Sequence, residues 1–324
     1  MPTVELLSTL IDVDCRYGAV DIGGTKIAVG LVAADGRVVF ARECPTAPSL
    51  GPDDAFERIV TLLSEAQVDS GQRFEAIGVG CTGPVDPVKG IIGDVALLPG
   101  WNGFPLTQRL EQRFQVPVCL ENDCDVAALG EFSATPESLR FLYVSISTGI
   151  GAGLILDGRV YRGIGGAHPE LGHHAIDPAG PACYCGAKGC WESLASGTAI
   201  AHWYATQSGA APASSQDIFR RVAEGEKLAT EAVERFTQYF AMGLGNLITI
   251  FAPDTIAVGG GVMSSASLFF NRAVAIARSR AGLVPAHSVE IRPATFGSQA
   301  GLIGAAQAAR RTQQTLEGKL CTQV

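Results

Sequence analysis

The chain has 324 residues, of which 47% are apolar and 17% are charged, and its formal net charge is −8. This composition excludes a disordered protein, and the length leaves room for two domains with a core each. The negative charge and the absence of a long Lys/Arg run disfavour nucleic acid as the main partner.

The nine cysteines do not form a disulfide framework. Their number is odd, and the six that lie outside residues 183–190 show no paired spacing. A reduced, cytoplasmic protein is therefore expected. Glu5, Asp12 and Asp14 interrupt any apolar run near the N-terminus, so no signal peptide is expected.

The first predicted elements are strands joined by glycine-containing turns. Residues 19–38 contain a β-rich run, a turn at Gly23-Gly24-Thr25, a second apolar run, an Asp-Gly turn and a third strand. Residues 144–160 repeat this order, with a turn at Thr148-Gly149. An Asp-Gly pair between apolar runs is a strong hairpin signal. The repetition predicts two related domains.

Three glycine-rich turns predict a phosphate site. Glycine lets backbone N–H groups approach a phosphate closely, and threonine hydroxyls add donors. The third run, Gly259 to Gly261, follows a strand-like stretch. Helical stretches at 126–132 and 231–251 alternate with the strands, which indicates an α/β fold. No P-loop motif is present, and the alternative that each turn is only a tight hairpin stays open.

Residues 236–253 carry no charge and approach the length of a membrane span. The stretch contains Gln238, Asn246 and Pro253, which a lipid-facing helix would not favour. We predict a buried helix in a soluble core and no membrane partner.

Four possible metal ligands lie within 18 residues of chain, namely His173, Cys183, Cys185 and Cys190. Three thiolates and one imidazole complete a tetrahedral Zn²⁺ site and leave no position for a reactive water, so the spacing predicts structural zinc rather than a zinc hydrolase. Glu170 and Glu192 bracket the cluster and are not needed as ligands. We therefore predict that the metal holds two acidic side chains in place for another task.

Six motifs occur in the order typical of a known family: Asp21-Ile-Gly-Gly-Thr-Lys26, Glu121-Asn-Asp123, Ser147-Thr-Gly-Ile-Gly151, Glu170-Leu-Gly-His173, Cys183-x-Cys185-Gly-x-x-Gly-Cys190-x-Glu192 and Gly259-Gly-Gly261. On these motifs the chain resembles the ROK family (repressors, open reading frames, kinases) of the actin-like ATPase superfamily. The resemblance spans about residues 18–305, and the cysteine motif is highly specific. It is closest to the glucokinase-type branch and is similar to the N-acetylmannosamine kinase and fructokinase branches.

The resemblance implies an α/β, actin-like ATPase (ribonuclease H-like) fold with two related domains and a cleft between them. We predict a smaller N-terminal domain at residues 1–120, joined by the C-terminal helix at about 305–324, and a larger domain with the zinc motif at 121–304. The implied activity is transfer of the γ-phosphate of ATP to the 6-hydroxyl of a hexose, glucose first, with fructose, mannose and N-acetylmannosamine as alternatives. The implied cofactors are ATP, Mg²⁺ and structural Zn²⁺, and the implied assembly is a homodimer or a larger homo-oligomer.

The resemblance also implies a role for each matched residue. Asp123 would be the general base that takes the proton of the sugar hydroxyl. The expected sugar contacts are Gly83, Asn102, Asn122, Asp123, Glu170, His173 and Glu192. The expected ATP contacts are Gly23, Gly24, Thr25, Lys26, Thr148, Gly149, Gly260 and Gly261. The expected zinc ligands are His173, Cys183, Cys185 and Cys190. A histidine bound to zinc through one ring nitrogen keeps the other free to donate, so His173 would join the metal site to the sugar site.

Several residues depart from the family pattern or have no required role. The family more often has a small or amide residue where this chain has Asp125. His168 and His174 lie near the zinc ligand His173 without an assigned task. Pro169 before Glu170 is similar to the fructokinase branch, which leaves the sugar open.

Two other functions remain as alternatives. A ROK repressor would need a DNA-binding domain, and the roughly 17 residues before the first predicted strand are too few for a helix-turn-helix unit. A non-catalytic sugar sensor would bind sugar without turning over ATP. We expect neither, because Asp123 and the first glycine turn are intact.

Overall fold

The computed structural model describes residues 15–211 and 213–321. Residues 1–14 of the predicted first domain and 322–324 of the predicted C-terminal helix lie outside the described residues. The strands are β1 Cys15–Ile22, β2 Lys26–Ala33, β3 Val38–Pro45, β4 Ala76–Cys81, β5 Val85–Asp86, β6 Ile91–Ile92, β7 Val118–Asn122, β8 Arg140–Ile146, β9 Ile150–Leu156, β10 Arg159–Val160, β11 Thr255–Gly259 and β12 Glu290–Pro293. The α-helices are α1 Gly51–Ser70, α2 Leu106–Phe114, α3 Asp123–Phe132, α4 Trp191–Ala195, α5 Gly197–Ser208, α6 Ser215–Ala223, α7 Lys227–Phe251, α8 Phe270–Arg280 and α9 Ala300–Cys321. Short 3₁₀ helices lie at Pro48–Leu50, Ile164–Gly166, Leu171–His173, Gly261–Leu268, Ala286–Ser288 and Gly297–Gln299.

Two five-stranded sheets have the same topology. Their strand orders are β3-β2-β1-β4-β7 and β10-β9-β8-β11-β12. In each sheet the first three strands in chain order pair antiparallel. The last two strands add in parallel on the other side of the first. The duplication predicted from the two hairpins and the α/β class are therefore confirmed.

The chain groups into two compact units. Within the described residues, the first unit contains 15–130, 162–168 and 299–321, and the second contains 131–161 and 169–298. The division predicted at residues 1–120, 121–304 and 305–324 stays a prediction.

Helix α9 packs on one face of the first sheet. Leu302, Ala305 and Ala309 form one buried cluster with Ala19 and other residues of that face. A Cβ built on Gly78 of β4 would lie 1.8 Å from the carbonyl oxygen of Ala305, so the helix backbone rests directly on the strand. The chain therefore returns to the first sheet at its C-terminal end.

Helix α7 forms the centre of the second unit. The rings of Phe236, Phe240 and Phe269 contact one another, and Trp191 stacks on Phe240. This helix contains most of the uncharged stretch 236–253, so the prediction of a buried helix is confirmed. Among the residues that the structure describes, no helix is long and apolar enough to cross a membrane.

Candidate functional site

The first part of the site lies where β7 ends and α3 begins. Asn122 is the last residue of the strand, and Asp123 is the first of the helix. The side-chain amide of Asn122 donates to the carbonyl of Gly83 at 3.2 Å, and its oxygen accepts from the N–H of Cys124 at 2.8 Å. The structure thus brings three predicted sugar residues together, Gly83, Asn122 and Asp123.

Asp123 combines the features of a helix-start carboxylate and of a general base. Its Oδ1 accepts from the Cys124 N–H at 2.8 Å, as expected for an acid in the first turn of a helix. Burial raises its pKa above the ordinary value of an aspartate, against the effect of the Cys124 hydrogen bond and of the charge of His168. A buried carboxylate with a raised pKa accepts a proton more readily.

Asp21 is a functional candidate that begins the first family motif but had no role predicted from the sequence. It lies one residue before the end of β1. Burial and the charge of Asp123 raise its pKa from 3.8 to about 7. A Cβ on Gly301 of α9 would lie 2.2 Å from Asp21 Oδ2, so the helix approaches this carboxylate closely. The sequence signal was an acid at the end of an apolar strand, directly before a glycine turn.

The first glycine turn is held by backbone and hydroxyl groups. The N–H of Gly23 donates to the carbonyl of Lys26 at 2.9 Å. The buried hydroxyl of Thr46 donates to the carbonyl of Gly23 at 2.6 Å. Gly24 lies under Leu97, and Thr25 is exposed. Lys26 pairs with Glu43 at 2.6 Å, with both side chains about half exposed, so the ammonium already has a partner.

The second glycine turn lies beside a cavity of about 270 Å³ in the second unit. The lining residues are Ser147, Thr148, Gly197, Thr198, Ala201, Ser214, Ser215, Gln216 and Val262. Thr148 was predicted, whereas Thr198 and the residues at the start of α6 were missed. Their signal was weak, a Ser-Ser-Gln run before a helix with no family motif attached.

The third glycine run contains one structural and one cavity-facing position. Gly260 has a positive φ of 90°, and a Cβ there would lie 2.2 Å from the carbonyl oxygen of Ile146. It is therefore required for packing on β8. A Cβ on Gly261 would lie 3.6 Å from the hydroxyl of Ser147 and 3.8 Å from the amide of Gln216, so this position borders the cavity.

Gly149 makes room for a carboxylate. A Cβ at Gly149 would lie 2.3 Å from Glu192 Oε2. The same oxygen accepts from the N–H of Ile150 at 2.9 Å. The structure therefore brings a predicted ATP residue, Gly149, into contact with a predicted sugar residue, Glu192. Position 149 has to be glycine because the Glu192 carboxylate occupies the space that a Cβ would need.

The four predicted zinc ligands come together. Their donor atoms all lie within 4.8 Å of one another. Cys183 Sγ is 3.4 Å from His173 Nδ1, and Cys185 Sγ is 3.6 Å from Cys190 Sγ. Tetrahedral zinc with bonds of about 2.3 Å separates two sulfurs by about 3.8 Å. The residues present therefore fit Zn²⁺ in number, type and spacing.

His173 presents its second ring nitrogen away from the cysteines. Nε2 lies 2.9 Å from the hydroxyl of Tyr184 and 3.9 Å from Glu192 Oε1. Tyr184 is 81% exposed and was not predicted, although its place between two cysteine ligands was a usable signal. The imidazole of His173 thus lies between the cysteine cluster and Glu192.

Two predicted sugar residues are exposed to solvent. Glu170 is exposed immediately before the short helix Leu171–His173, and Asn102 is exposed in the loop between β6 and α2. Their roles as sugar ligands stay predictions.

A profile of the ROK family matches residues 17–312. The chain belongs to the ROK family. It is 31% identical to a glucokinase of Thermotoga maritima over 266 residues, which cover 78% of this chain and 83% of the relative. It is 32% identical to an N-acetylmannosamine kinase of Escherichia fergusonii over 289 residues, which cover 89% of this chain and 96% of the relative.

Two solved structures agree with this membership. A ROK hexokinase from Thermus thermophilus superposes with a TM-score of 0.84 at 35% identity, covering 92% of this chain and 99% of the other. A ROK glucokinase from Streptomyces griseus, in complex with glucose and AMPPNP, superposes with a TM-score of 0.77 at 29% identity, covering 91% and 99%. The predicted family and actin-like ATPase fold are therefore confirmed, and the chain is a sugar kinase by family.

Proposed function

We propose that this protein is an ATP-dependent hexose kinase that phosphorylates the 6-hydroxyl of glucose. The observation that carries the proposal is the partly buried Asp123 carboxylate at the start of α3, next to an Asn122 side chain that donates to the carbonyl of Gly83. A glucokinase among the relatives, and a related structure that holds glucose and AMPPNP, support the choice of sugar and donor.

Proton transfer would pass through Asp123. Its carboxylate takes the proton of the 6-hydroxyl as the sugar oxygen bonds to the γ-phosphorus and the bond from that phosphorus to the β-phosphate oxygen of ATP breaks. Phosphoryl transfer requires mainly positioning and charge stabilisation from the protein, so one well-placed base suffices.

The nucleotide would be held by both glycine turns and by the cavity. The hydroxyls and amide that line the cavity, among them Thr198 and Gln216, suit the polar edges of a nucleoside. Backbone N–H groups of the first turn would meet the phosphates. Mg²⁺ would accompany ATP and neutralise charge on the β- and γ-phosphates.

Zinc would brace the sugar side of the site without entering the reaction. His173 would ligate through Nδ1 and donate through Nε2 to a sugar hydroxyl. Glu192, fixed by the N–H of Ile150, would accept from a second hydroxyl. A homodimeric or larger assembly and a cytoplasmic location follow from the family resemblance and the cysteine usage, and they stay predictions.

The base assignment is tested with Asp123→Asn. The variant keeps the size of the side chain and loses the proton acceptor, so ADP release with glucose and ATP should fall by about 10²-fold or more. Glucose binding, measured by calorimetry, should persist. The exposed Asp69→Asn is the matched control and should keep wild-type turnover. An Asp123→Asn enzyme with wild-type kcat would remove the assignment.

N-acetylmannosamine is the second candidate substrate. The relative that acts on it covers more of this chain than the glucokinase does, 89% against 78%. Initial rates with glucose, fructose, mannose and N-acetylmannosamine at fixed ATP rank the sugars by kcat/KM. A higher kcat/KM for any of the other three sugars would displace glucose, and sugar binding without turnover of any sugar would favour a sensor.

A further inference from the structure

Two ion pairs join the segment Arg162–His168 to the chain around Asp123. Arg162, its first residue, pairs with Glu121. His168, its last residue, places Nδ1 3.0 Å from Asp125 Oδ1. The exposed fractions of the side chains are 24% and 15% for the first pair and 9% and 3% for the second. Both pairs lie within the first unit.

The acidic partners lie symmetrically about the base in sequence. Glu121 is two residues before Asp123, and Asp125 is two residues after it. The segment thus bears an ion pair at each end, and the two partners flank the tripeptide Asn122-Asp123-Cys124. We call residues 162–168 the strap.

Three backbone hydrogen bonds close a short turn within the strap, from the N–H of Gly163 to the carbonyl of Ala167, from that of Gly166 to Gly163 and from that of Ala167 to Ile164. Three of its seven residues are glycines, and two of these, Gly165 and Gly166, have positive φ angles of 64° and 83°. Ile164 is 95% exposed. A glycine-rich segment with an exposed apolar side chain loses much entropy on ordering, and the two end pairs attach this segment to the chain around Asp123.

The His168–Asp125 pair joins two nearly buried side chains for which the sequence predicted no role. Each would be an uncompensated polar group if it lay nearly buried alone, which is costly. The 3.0 Å approach of His168 Nδ1 to Asp125 Oδ1 brings the two groups within ion-pair distance.

We propose that the two ion pairs clamp the strap on both sides of Asp123 and position its carboxylate for proton transfer. Arg162 and His168 are then positioning residues, which act through Glu121 and Asp125 and touch no substrate. This inference rests on the proposed function of Asp123 as the general base.

The charge of His168 also bears on the protonation of Asp123. Burial raises the pKa of Asp123, and the Cys124 hydrogen bond and the charge of His168 lower it. In the described part of the chain, the titratable or charged groups around Asp123 and its flanking pairs also include Asp21, Cys81, Glu121, Asp125, Arg162 and Arg311. Removal of the imidazole should therefore raise the pKa of Asp123, and the acid limb of the rate profile should move to higher pH.

The test compares His168→Gln, Asp125→Asn and the double variant in the full chain, with glucose and ATP. Each single variant should lower kcat by about 10-fold or more and leave KM for ATP within about twofold, because positioning of the base is lost while nucleotide contacts remain. His168→Gln should also shift the acid limb of kcat/KM to higher pH. The double variant should cost no more than the worse single variant, since both remove one interaction. The exposed His287→Gln is the matched control.

Thermal unfolding of each variant separates positioning from folding. Asp125→Asn keeps the size and an acceptor oxygen, so it guards against a folding defect in the histidine variant. Folded variants with wild-type kcat and an unshifted acid limb overturn the inference but leave the Asp123 assignment intact. Loss of the fold in all three variants also overturns it, since a structural role would then explain the pair. A wild-type protein that phosphorylates no sugar overturns this inference and the proposed function together.

Discussion

The two hairpins have the same backbone topology but differ in the position of their acidic side chain. Strands β1 and β8 occupy the same place in sheets of the same strand order. Asp21 and Ser145 each lie one residue before the end of their strand. The first hairpin therefore carries its own partly buried acid just before the glycine turn, whereas the second carries a hydroxyl at that position.

The second hairpin obtains its acid from outside the repeat. Glu192 of α4 lies against Gly149 and accepts from the N–H of Ile150. The chain that leads to it contains the three cysteines whose sulfurs cluster with His173, and the His173 ring lies near the same carboxylate. The duplication thus provides two similar glycine turns, whereas the acidic side chains beside them, Asp21 and Glu192, are not repeated.

The largest expected effect comes from a methyl group at Gly149. Gly149→Ala places a Cβ 2.3 Å from Glu192 Oε2, so the carboxylate must move. We expect kcat/KM for the sugar to fall by about 10²-fold, because a shift of about 1 Å in a positioned group has such an effect.

Gly24→Ala places a methyl group in the glycine turn of the first hairpin. Its Cβ would lie 3.0 Å from the flexible side chain of Leu97, which can adjust, so we expect only a few-fold loss. Gly282→Ala meets nothing within 4 Å and serves as the control for both. Equal losses at Gly149 and Gly24 would contradict the view that only the second turn accommodates a carboxylate.

Removal of zinc should affect the sugar side before the nucleotide side. The His173 ring lies between the cysteines and Glu192, whereas the cavity beside Thr148 is lined by residues outside the cluster. We expect glucose affinity in chelator-treated protein to fall by about 10-fold or more while ATP affinity changes little. Calorimetric titrations of both ligands, before and after metal is restored, measure the difference.

Cys44→Ser is the control for the zinc prediction. This free cysteine lies on β3, away from the cluster in sequence, and its replacement should leave both affinities unchanged. An unchanged glucose affinity in zinc-free, folded protein would refute the bracing role.

The sequence predicted the elements whose signal is local. Asp-Gly turns between apolar runs revealed the duplicated hairpins, and the spacing of His173 and the three cysteines revealed their cluster. The resemblance brought in Asp123, which has no distinctive spacing of its own.

Contacts that depend on distant parts of the chain were not predicted. The Glu192 carboxylate over Gly149 joins residues 43 positions apart. The pair of His168 with Asp125 joins an irregular segment to a helix, also 43 positions away. Turn propensity and hydrophobic periodicity cannot predict such contacts, because the two residues meet only after the chain has folded. The polar start of α6 was missed for the same reason.

The smallest expected effect concerns the acid of the first hairpin. The pKa of Asp21 is about 7 in the folded protein and 3.8 ordinarily, because of burial and the charge of Asp123. A folded-state pKa above the unfolded value contributes stability that is fully present below pH 3.8 and is lost as the pH rises through about 7. Wild-type stability should therefore decline between about pH 4 and pH 7 through this group.

Asp21→Asn removes that titration and should flatten the decline. We expect its Tm at pH 8, relative to pH 5, to exceed the wild-type difference by about 2–4 °C. The exposed Asp69→Asn should reproduce the wild-type profile, and Ser145→Ala in the second hairpin should show no change in slope because it removes no titrating group. If the stability of Asp21→Asn declined with pH as steeply as that of the wild type, Asp21 would not have a raised pKa in the folded protein. The contrast between the hairpins would then rest on Glu192 alone.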